Sequence, residues 1–194
     1  EPEAMAAQEW MRARMWDDRV LATLLDVQNL STRQALITER VAMVEDGSWA
    51  LKDILTETTF RLGVAPFPAG PARRVTLATT DGFGIYAHTE QPDAAWELVK
   101  FLTSEDYGRA MARTSFLQPA RATLVDEWVS YVREEFPEKS DGVDIAAFAD
   151  GHRQGYSVTA EVFTNMASVK PLIYDAWTQI FTWGRAPVES MVDV

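Results

Sequence analysis

Aromatic side chains are the residues of this chain whose chemistry is easiest to assign. Its 194 residues include seven tryptophans, nine phenylalanines and five tyrosines. Sugar rings expose C–H faces that pack on aromatic faces, while sugar hydroxyls need a few fixed polar partners. With 29 acidic and 18 basic residues to supply those partners, the chain has the residue types that a carbohydrate cleft requires.

Trp49 differs from the other tryptophans because it follows the turn residues Asp46, Gly47 and Ser48. The preceding residues 41–44 predict a short buried strand, and ligands of α/β proteins bind where strands end. This position predicts a cleft-facing Trp49 about as readily as a buried one. Tryptophans on or beside amphipathic helical stripes are expected to be core residues: Trp96, Trp128 and Trp177.

Common catalytic motifs are absent from the sequence. It contains no G-x-x-x-x-G-K-[ST], G-x-S-x-G or H-E-x-x-H. His88 and His152 are the only histidines, no metal-binding spacing joins them, and the chain has no cysteine. The adjacent acids Glu134 and Glu135 diverge by about 100° on a helix, so they cannot act together on one glycosidic bond. We expect no catalytic residue, no metal and no cofactor.

The charge balance excludes nucleic acid as a partner. The net charge of -11 repels phosphate backbones and supplies none of the counterion release that drives nucleic-acid binding. Eight of the acids lie between residues 126 and 150, where we expect a solvated face. A hydrophobic content of 47% over 194 residues is enough for a sizeable core.

The elements around Trp49 are predicted to alternate between helix and strand. Ser31 and Gln34 form a capping-box pattern that predicts a helix to about Arg40. Residues 49–55 predict a helix and residues 60–65 a strand. Apolar stripes predict one bent helix or two helices within residues 7–25, and one helix each over residues 92–102, 125–132 and 173–180. Gly184 lies just beyond the last of these, at a position where glycine commonly ends a helix. Thr103 and Asp106 form a second capping-box pattern, which predicts the start of another helix.

A hairpin is predicted after these first elements. Residues 76–80 and 83–88 are rich in β-branched and aromatic side chains. Asp81 and Gly82 between them are the pair that supplies positive φ in a type I′ turn.

Three phrases of the sequence occur in an order typical of a known family. Residues 41–49 (VAMVEDGSW) are followed by residues 63–68 (GVAPFP) and residues 91–102 (QPDAAWELVKFL). They resemble the C-terminal portion of the extracellular solute-binding proteins of ABC importers, in the family-1, sugar-type group that includes maltose-binding protein. The resemblance implies an α/β fold, a helix-rich periplasmic-binding-protein-like (type II) C-terminal lobe with a segment of the other lobe.

The resemblance also implies ligand-binding residues. The matching G-S-W or G-P-W tryptophan commonly lines the sugar site in the family, which assigns Trp49. Asp81, Gly82 and Phe83 match the segment that crosses between lobes beside the cleft, an alternative to the hairpin that the sequence leaves open. A Pro-x-Arg step like that of the family puts Arg121 within reach of ligand hydroxyls or, as for most arginines before a helix, in solvent or beside a neighbouring acid.

By the same resemblance the chain divides into three segments. Residues 1–76 and 118–194 form two parts of the C-terminal lobe, and residues 77–117 belong to the N-terminal lobe in the family. The apolar stripe over residues 92–102 packs within that other lobe in the family. Here we expect it to dock on its own lobe or on a second copy, as a homodimer. The N-terminus lacks a signal-peptide pattern, which we attribute to an excised piece of a longer protein.

The expected function is non-covalent capture of a sugar or related polar solute and its delivery to the permease subunits of an ABC transporter. The expected location is periplasmic or extracellular, with a membrane tether on the full-length protein left open. No reaction is catalysed. Two other classes remain: a carbohydrate-active enzyme domain with aromatic subsites, which glycoside turnover would reveal, and an acidic helical interaction module, which sugar-independent binding to a macromolecule would reveal.

Overall fold

Side-chain caps begin two of the helices that the sequence predicts. The computed structural model describes residues 2–160 and 164–192. The Ser31 hydroxyl accepts the Gln34 N–H at 3.2 Å, so this cap is confirmed. The sequence predicts Thr103 as a later cap, which is wrong: Ser104 accepts the Tyr107 N–H at 3.2 Å. Thr103 ends the preceding helix instead, because its own N–H completes an intrahelical bond.

Helices make up most of the regular structure, so the predicted helix-rich character is confirmed. In chain order the α-helices are α1 (Pro2–Trp16), α2 (Thr32–Ile37), α3 (Leu51–Glu57), α4 (Pro92–Leu102), α5 (Glu105–Thr114), α6 (Val125–Glu135), α7 (Pro137–Ser140), α8 (Asp150–Arg153) and α9 (Met166–Trp177). The strands are β1 (Thr76–Leu77) and β2 (Ser157–Val158). Short 3-10 helical turns cover Ser48–Ala50, Ala122–Leu124, Ile145–Ala149 and Val188–Met191, and a short π-helix covers Thr178–Thr182.

The chain divides into two compact units. The terminal unit combines Glu1–Val44 with Glu161–Val194, and the central unit is Glu45–Ala160. Every predicted ligand-binding residue lies in the central unit. The three lobe segments predicted from the family, residues 1–76, 77–117 and 118–194, concern the architecture of the family and stay a prediction.

The core of the central unit forms around Trp128 of α6, which is completely buried. Its indole Nε1–H donates to the Phe116 carbonyl at 2.8 Å, so the one polar atom of the ring is paired. Trp128 is thus a core residue, as predicted. Buried side chains from α3, α5, α6 and the turn that follows α7 complete this core: Leu51, Leu55, Ala112, Val125, Val129, Val132, Val143, Ile145 and Ala149.

Phe116 ends α5 in a left-handed conformation that is unusual for a bulky residue. Its φ is +53°, in the region where glycine normally follows a helix. The side chain is buried and packs edge-to-face on Phe136, with ring centroids 5.6 Å apart. Burial of the ring and the bond from Trp128 therefore offset the backbone cost of this turn.

Two lysines bind the carbonyl ends of helices in the central unit. Lys139 donates to the carbonyls of Leu55 and Thr58 at the end of α3, the latter at 2.6 Å. Lys52 of α3 donates to the Thr114 carbonyl at 3.2 Å and therefore ties α3 to the end of α5. Each ammonium meets the negative end of a helix dipole, which is the favourable orientation.

The predicted hairpin over residues 76–88 is wrong. β1 pairs in parallel with β2, in the register Thr76 to Ser157 and Leu77 to Val158. This pairing satisfies the backbone of β1 from a segment some eighty residues later. Residues 83–88 are exposed and form no strand. A two-stranded hairpin needs a covered apolar face for stability, and this segment has none.

Two other predicted strands have no regular secondary structure. Residues 41–44 form no strand, and Met43 within them is 86% exposed. Residues 60–65 keep the alternation of half-buried and exposed positions that suggested a strand. Leu62 and Val64 pack against the central core. The alternation of half-buried and exposed residues over residues 60–65 therefore indicates that one side of this segment packs on the core, and not that it pairs with another strand.

Helix α4 has the predicted bounds but a different environment from the predicted one. No residue of α4 is buried, and Leu98 on the predicted stripe is 56% exposed. Trp96, predicted to be a core residue, is 54% exposed. The other stripe residues, Ala95, Val99 and Leu102, are half-buried, and α4 contacts the neighbouring α5; docking of the stripe on its own lobe stays a prediction. Docking on a second copy stays a prediction.

The terminal unit has its own core. Ile180, Phe181 and Val188 are buried there, with Met11 and Met15 of α1 packed against them. The predicted helix over residues 20–25 is absent, since Asp26 instead accepts the Thr23 N–H and hydroxyl, each at 2.8 Å, in a local turn. This bond from the Thr23 N–H is also the main cause that lowers the pKa of Asp26.

Gly184 fulfils its predicted role after the last long helix. Its φ is +63°, a conformation that glycine adopts without cost. A Cβ at this position would also lie 2.6 Å from Cε2 of Trp16. Trp177, predicted as a core residue, is 38% exposed. Its ring packs against that of the buried Phe181, with the centroids 4.3 Å apart and the planes tilted by 43°.

We expect Trp128→Phe to lower the free energy of unfolding by about 1–3 kcal/mol, because the buried Phe116 carbonyl loses its donor. Trp96→Phe is the matched control, since Trp96 is exposed, and its effect should stay within about 0.5 kcal/mol. Urea unfolding followed by circular dichroism measures both variants. Equal midpoints for the two would contradict the role given to the Trp128 bond.

Candidate ligand-binding site

Trp49 lies on a turn that is rigidly joined to the central core. The Asp46 carboxylate accepts the Gly47 N–H at 2.8 Å and tightens the turn. The 3-10 turn that contains Trp49 then leads directly into α3, and both Ala50 at the end of the turn and Leu51 at the start of α3 are almost completely buried. Trp49 itself is 55% exposed. The chain therefore fixes the backbone of Trp49 and turns its indole toward solvent.

Phe83 joins a small group of aromatic rings at the start of α5. It meets Tyr107 edge-on with ring centroids 6.1 Å apart, and Phe101 meets the same Tyr107 at 5.8 Å. Phe83 and Phe101 are about half exposed. We call Phe83, Phe101 and Tyr107 the aromatic cluster. Asp81 and Gly82, exposed in the irregular segment before Phe83, lie beside it in the chain.

Sequence reasoning missed two members of the aromatic cluster. Phe101 lies off the apolar stripe of α4, and Tyr107 lies on the helix that the Thr103 and Asp106 pattern predicts, where nothing in the sequence marks it as a contact. The short connection between α4 and α5 could have indicated the cluster. Ser104 caps α5 through the Tyr107 N–H, which brings the last turn of α4 against the first turn of α5. Aromatic residues on either side of such a corner are expected to meet.

Arg121 lies at the same corner. It donates through Nη2 to the Thr103 carbonyl at 3.1 Å, where α4 ends. A guanidinium at this position complements the negative end of the helix dipole. One of its five N–H donors serves the carbonyl. Thr103 and Tyr107 are one helical turn apart in sequence, so Arg121 and Phe83 both contact the α4–α5 corner.

The predicted residues thus fall in two places on the central unit. Phe83 meets the first turn of α5 and Arg121 the end of α4 beside it, whereas α3, which follows Trp49, is tied by Lys52 to the end of α5 at Thr114. The rise from Tyr107 to Thr114 along the helix is roughly 10 Å. No ring contact among the described residues joins Trp49 to the aromatic cluster.

An ion pair holds α5 against α6, and its Arg109 lies two residues after Tyr107 of the aromatic cluster. Arg109 donates to Glu127 through Nε at 2.6 Å and Nη2 at 3.2 Å, a bidentate arrangement, and the Tyr131 hydroxyl donates to the same carboxylate at 3.2 Å. The bond from Arg109, helped by that from Tyr131, lowers the pKa of Glu127 below its usual range. The same contact raises the pKa of Arg109.

A cleft of about 510 Å³ lies elsewhere, in the terminal unit. Most of its lining is charged or aliphatic and none is aromatic: Glu9, Arg12, Ala13, Asp17, Arg185, Ala186, Pro187, Val188 and Glu189. No predicted ligand-binding residue lines it. A wall without aromatic faces suits a neutral sugar poorly, so we assign the candidate site to the central unit on side-chain chemistry.

The described residues contain neither a metal-binding group nor a membrane-spanning helix. Among residues 2–160 and 164–192, no group of three histidine, cysteine or acidic side chains is arranged to hold a metal ion. Over the same ranges no helix has both the length and the apolar character to cross a bilayer.

Comparison with known families identifies the class of this chain. The model of the family described as bacterial extracellular solute-binding protein matches residues 1–109. This span is more than half of the chain, and the chain therefore belongs to that family. A search of curated proteins gives no match. The matched residues include Trp49 and the whole aromatic cluster, whereas Arg121 lies beyond them.

Family membership confirms the coarser part of what the sequence predicts. Members are solute-binding proteins, which implies a small-molecule ligand, an ABC importer as partner and an extracellular or periplasmic location. The family is generally non-enzymatic.

Acidification should weaken the α5–α6 tie. Because the pKa of Glu127 is lowered in the folded state, its contribution to stability is complete above the unfolded pKa of about 4.3 and is lost as the pH falls through the lower folded value. We expect Glu127→Gln to flatten the fall of unfolding free energy between pH 5 and pH 3, as measured by urea titrations about every half unit.

Glu134→Gln is the control for this titration, since Glu134 is an exposed carboxylate on the same helix. It should keep the pH dependence of the wild type. If Glu127→Gln also keeps the wild-type pH dependence of the unfolding free energy, the ion pair contributes nothing to the packing of α5 against α6.

Proposed function

We propose that this chain captures a sugar or a related polar solute for delivery to the permease subunits of an ABC importer, without catalysing a reaction. The observation that carries the proposal is the exposed indole of Trp49 on a rigid turn of a solute-binding protein. The subgroup proposed is the maltose-binding-protein-like, sugar-type group. The fold proposed is the type II C-terminal lobe with residues 77–117 from the other lobe.

An exposed tryptophan on a fixed backbone has the properties that a sugar-stacking residue needs. Its ring offers a large apolar face, and the buried Ala50 and Leu51 beside it limit the backbone freedom that binding must remove. Leaving such a ring 55% exposed forgoes the free energy of its burial. A ligand that covers the ring recovers part of that free energy, which is why exposed aromatic side chains are typical of binding sites.

The aromatic cluster supplies a second proposed contact area. Phe83 and Phe101 offer exposed rings, Arg121 brings N–H donors to the same corner, and the exposed carboxylate of Asp81 lies two residues before Phe83 in the chain. Sugar recognition combines such apolar faces with a few polar groups that fix the orientation of hydroxyls. We propose Asp81, Gly82, Phe83 and Arg121 as ligand-binding residues together with Trp49.

Location and assembly complete the proposal. The whole protein would act in the periplasm or outside the cell, with or without a membrane tether. The apolar stripe of α4, on which Leu98 is exposed, is the proposed contact for a second copy in a homodimer.

Calorimetric titration of the chain with glucose, maltose and xylobiose tests the sugar assignment. We expect at least one of these sugars to bind, and Trp49→Ala to weaken its binding by about 1–3 kcal/mol, or roughly fivefold to 150-fold in Kd. Trp96→Ala is the matched control, because Trp96 is equally exposed but lies on α4, and it should leave Kd unchanged. Unchanged affinity in Trp49→Ala would remove Trp49 from the site.

A further inference from the structure

The flat face of the Trp49 indole lies directly on Gly47. A Cβ built on Gly47 would lie 2.2 Å from Cη2, 2.2 Å from Cζ3 and 2.4 Å from Cε3 of Trp49. An approach along the ring edge would leave Cε3 much farther away than the other two atoms. The nearly equal distances therefore put Gly47 over the plane of the six-membered ring.

Gly47 is not required here for its backbone freedom. Its φ of -98° and ψ of 171° are ordinary extended values that any residue adopts. What only glycine allows is the close approach of the ring, since a methyl group in its place would overlap three ring carbons. Side-chain size at position 47 thus controls where the Trp49 ring lies.

The contact with Gly47 covers one face of the ring, and the other is open. Trp49 is 55% exposed although one face rests on the turn, so the exposed area belongs largely to the opposite face and the edges. A ring supported from below and open above has the geometry of a stacking platform.

We propose that Gly47 is a positioning residue for ligand binding, which acts by supporting the Trp49 indole as a platform with one open face for the apolar face of a sugar ring. This inference rests on the proposed sugar-binding function. A residue larger than glycine at position 47 pushes the indole off the turn. The ring is the outer end of an exposed side chain, so it swings away and the fold is kept.

A set of four variants tests the proposal: Gly47→Ala, Trp49→Ala, the double variant and the control Gly63→Ala. Gly63 is a suitable control because a Cβ there meets nothing within 4 Å. Each variant is titrated calorimetrically with glucose, maltose and xylobiose, and its urea midpoint is recorded. The Hα resonances of Gly47 are measured by NMR in the wild type and in Trp49→Ala.

We expect the Gly47 Hα resonances to be shifted upfield by the ring in the wild type and to lose this shift in Trp49→Ala. Gly47→Ala should weaken sugar binding about fivefold or more and keep the urea midpoint, while Gly63→Ala should bind like the wild type. In the Trp49→Ala background, Gly47→Ala should add less than about a twofold loss, because it acts only through the ring.

The contrary outcomes separate this proposal from the one on which it rests. If Trp49→Ala weakens binding while Gly47→Ala binds like the wild type, or if the Gly47 resonances are unshifted, the supporting role of Gly47 is overturned and the sugar site stands. A further large loss in the double variant overturns it as well, since Gly47 would then act without the ring. If no sugar binds the wild type, or Trp49→Ala changes nothing, the sugar-binding function fails and the platform fails with it.

Discussion

Burial of the Trp128 indole against the Phe116 carbonyl is the interaction on which the central unit depends. It holds α6 to the turn that ends α5, and the turn exists only because Phe116 accepts a left-handed backbone. Burial of two aromatic rings outweighs that cost. Once α5 is fixed, Lys52 attaches α3 to its last residue, and Arg109 near its middle attaches α6. The surface where ligand binding is proposed is built on this frame.

The frame also explains why Trp49 faces outward. The chain enters α3 through Ala50 and Leu51, whose side chains are buried in or beside the core. A 3-10 turn changes side-chain direction by about 120° per residue, so the residue before these two must point elsewhere. The same sequence that secures α3 therefore exposes the tryptophan, and the turn residue Gly47 supports it.

Much of the helical structure could be predicted from the sequence, because caps and apolar stripes are local signals, whereas the ligand-binding residues stay a prediction. The Ser31 cap and the bounds of α4 follow from them directly. Pairing of β1 with β2 could not be predicted, since the partner is some eighty residues away and both strands have two residues. The strand predicted over residues 60–65 is absent, because alternating burial also occurs in irregular chain that packs on a core. The contact of Gly47 with Trp49 is a matter of packing, which residue spacing does not report.

The central claim is that ligand covers the open face of Trp49, and tryptophan-specific ¹⁹F NMR tests it most directly. The chain would be labelled with 5-fluorotryptophan, and its seven resonances assigned by single Trp→Phe substitutions. During titration with a sugar that binds in calorimetry, the Trp49 resonance should move in proportion to saturation while that of the buried Trp128 stays in place. Saturable binding that leaves the Trp49 resonance unmoved would contradict the account.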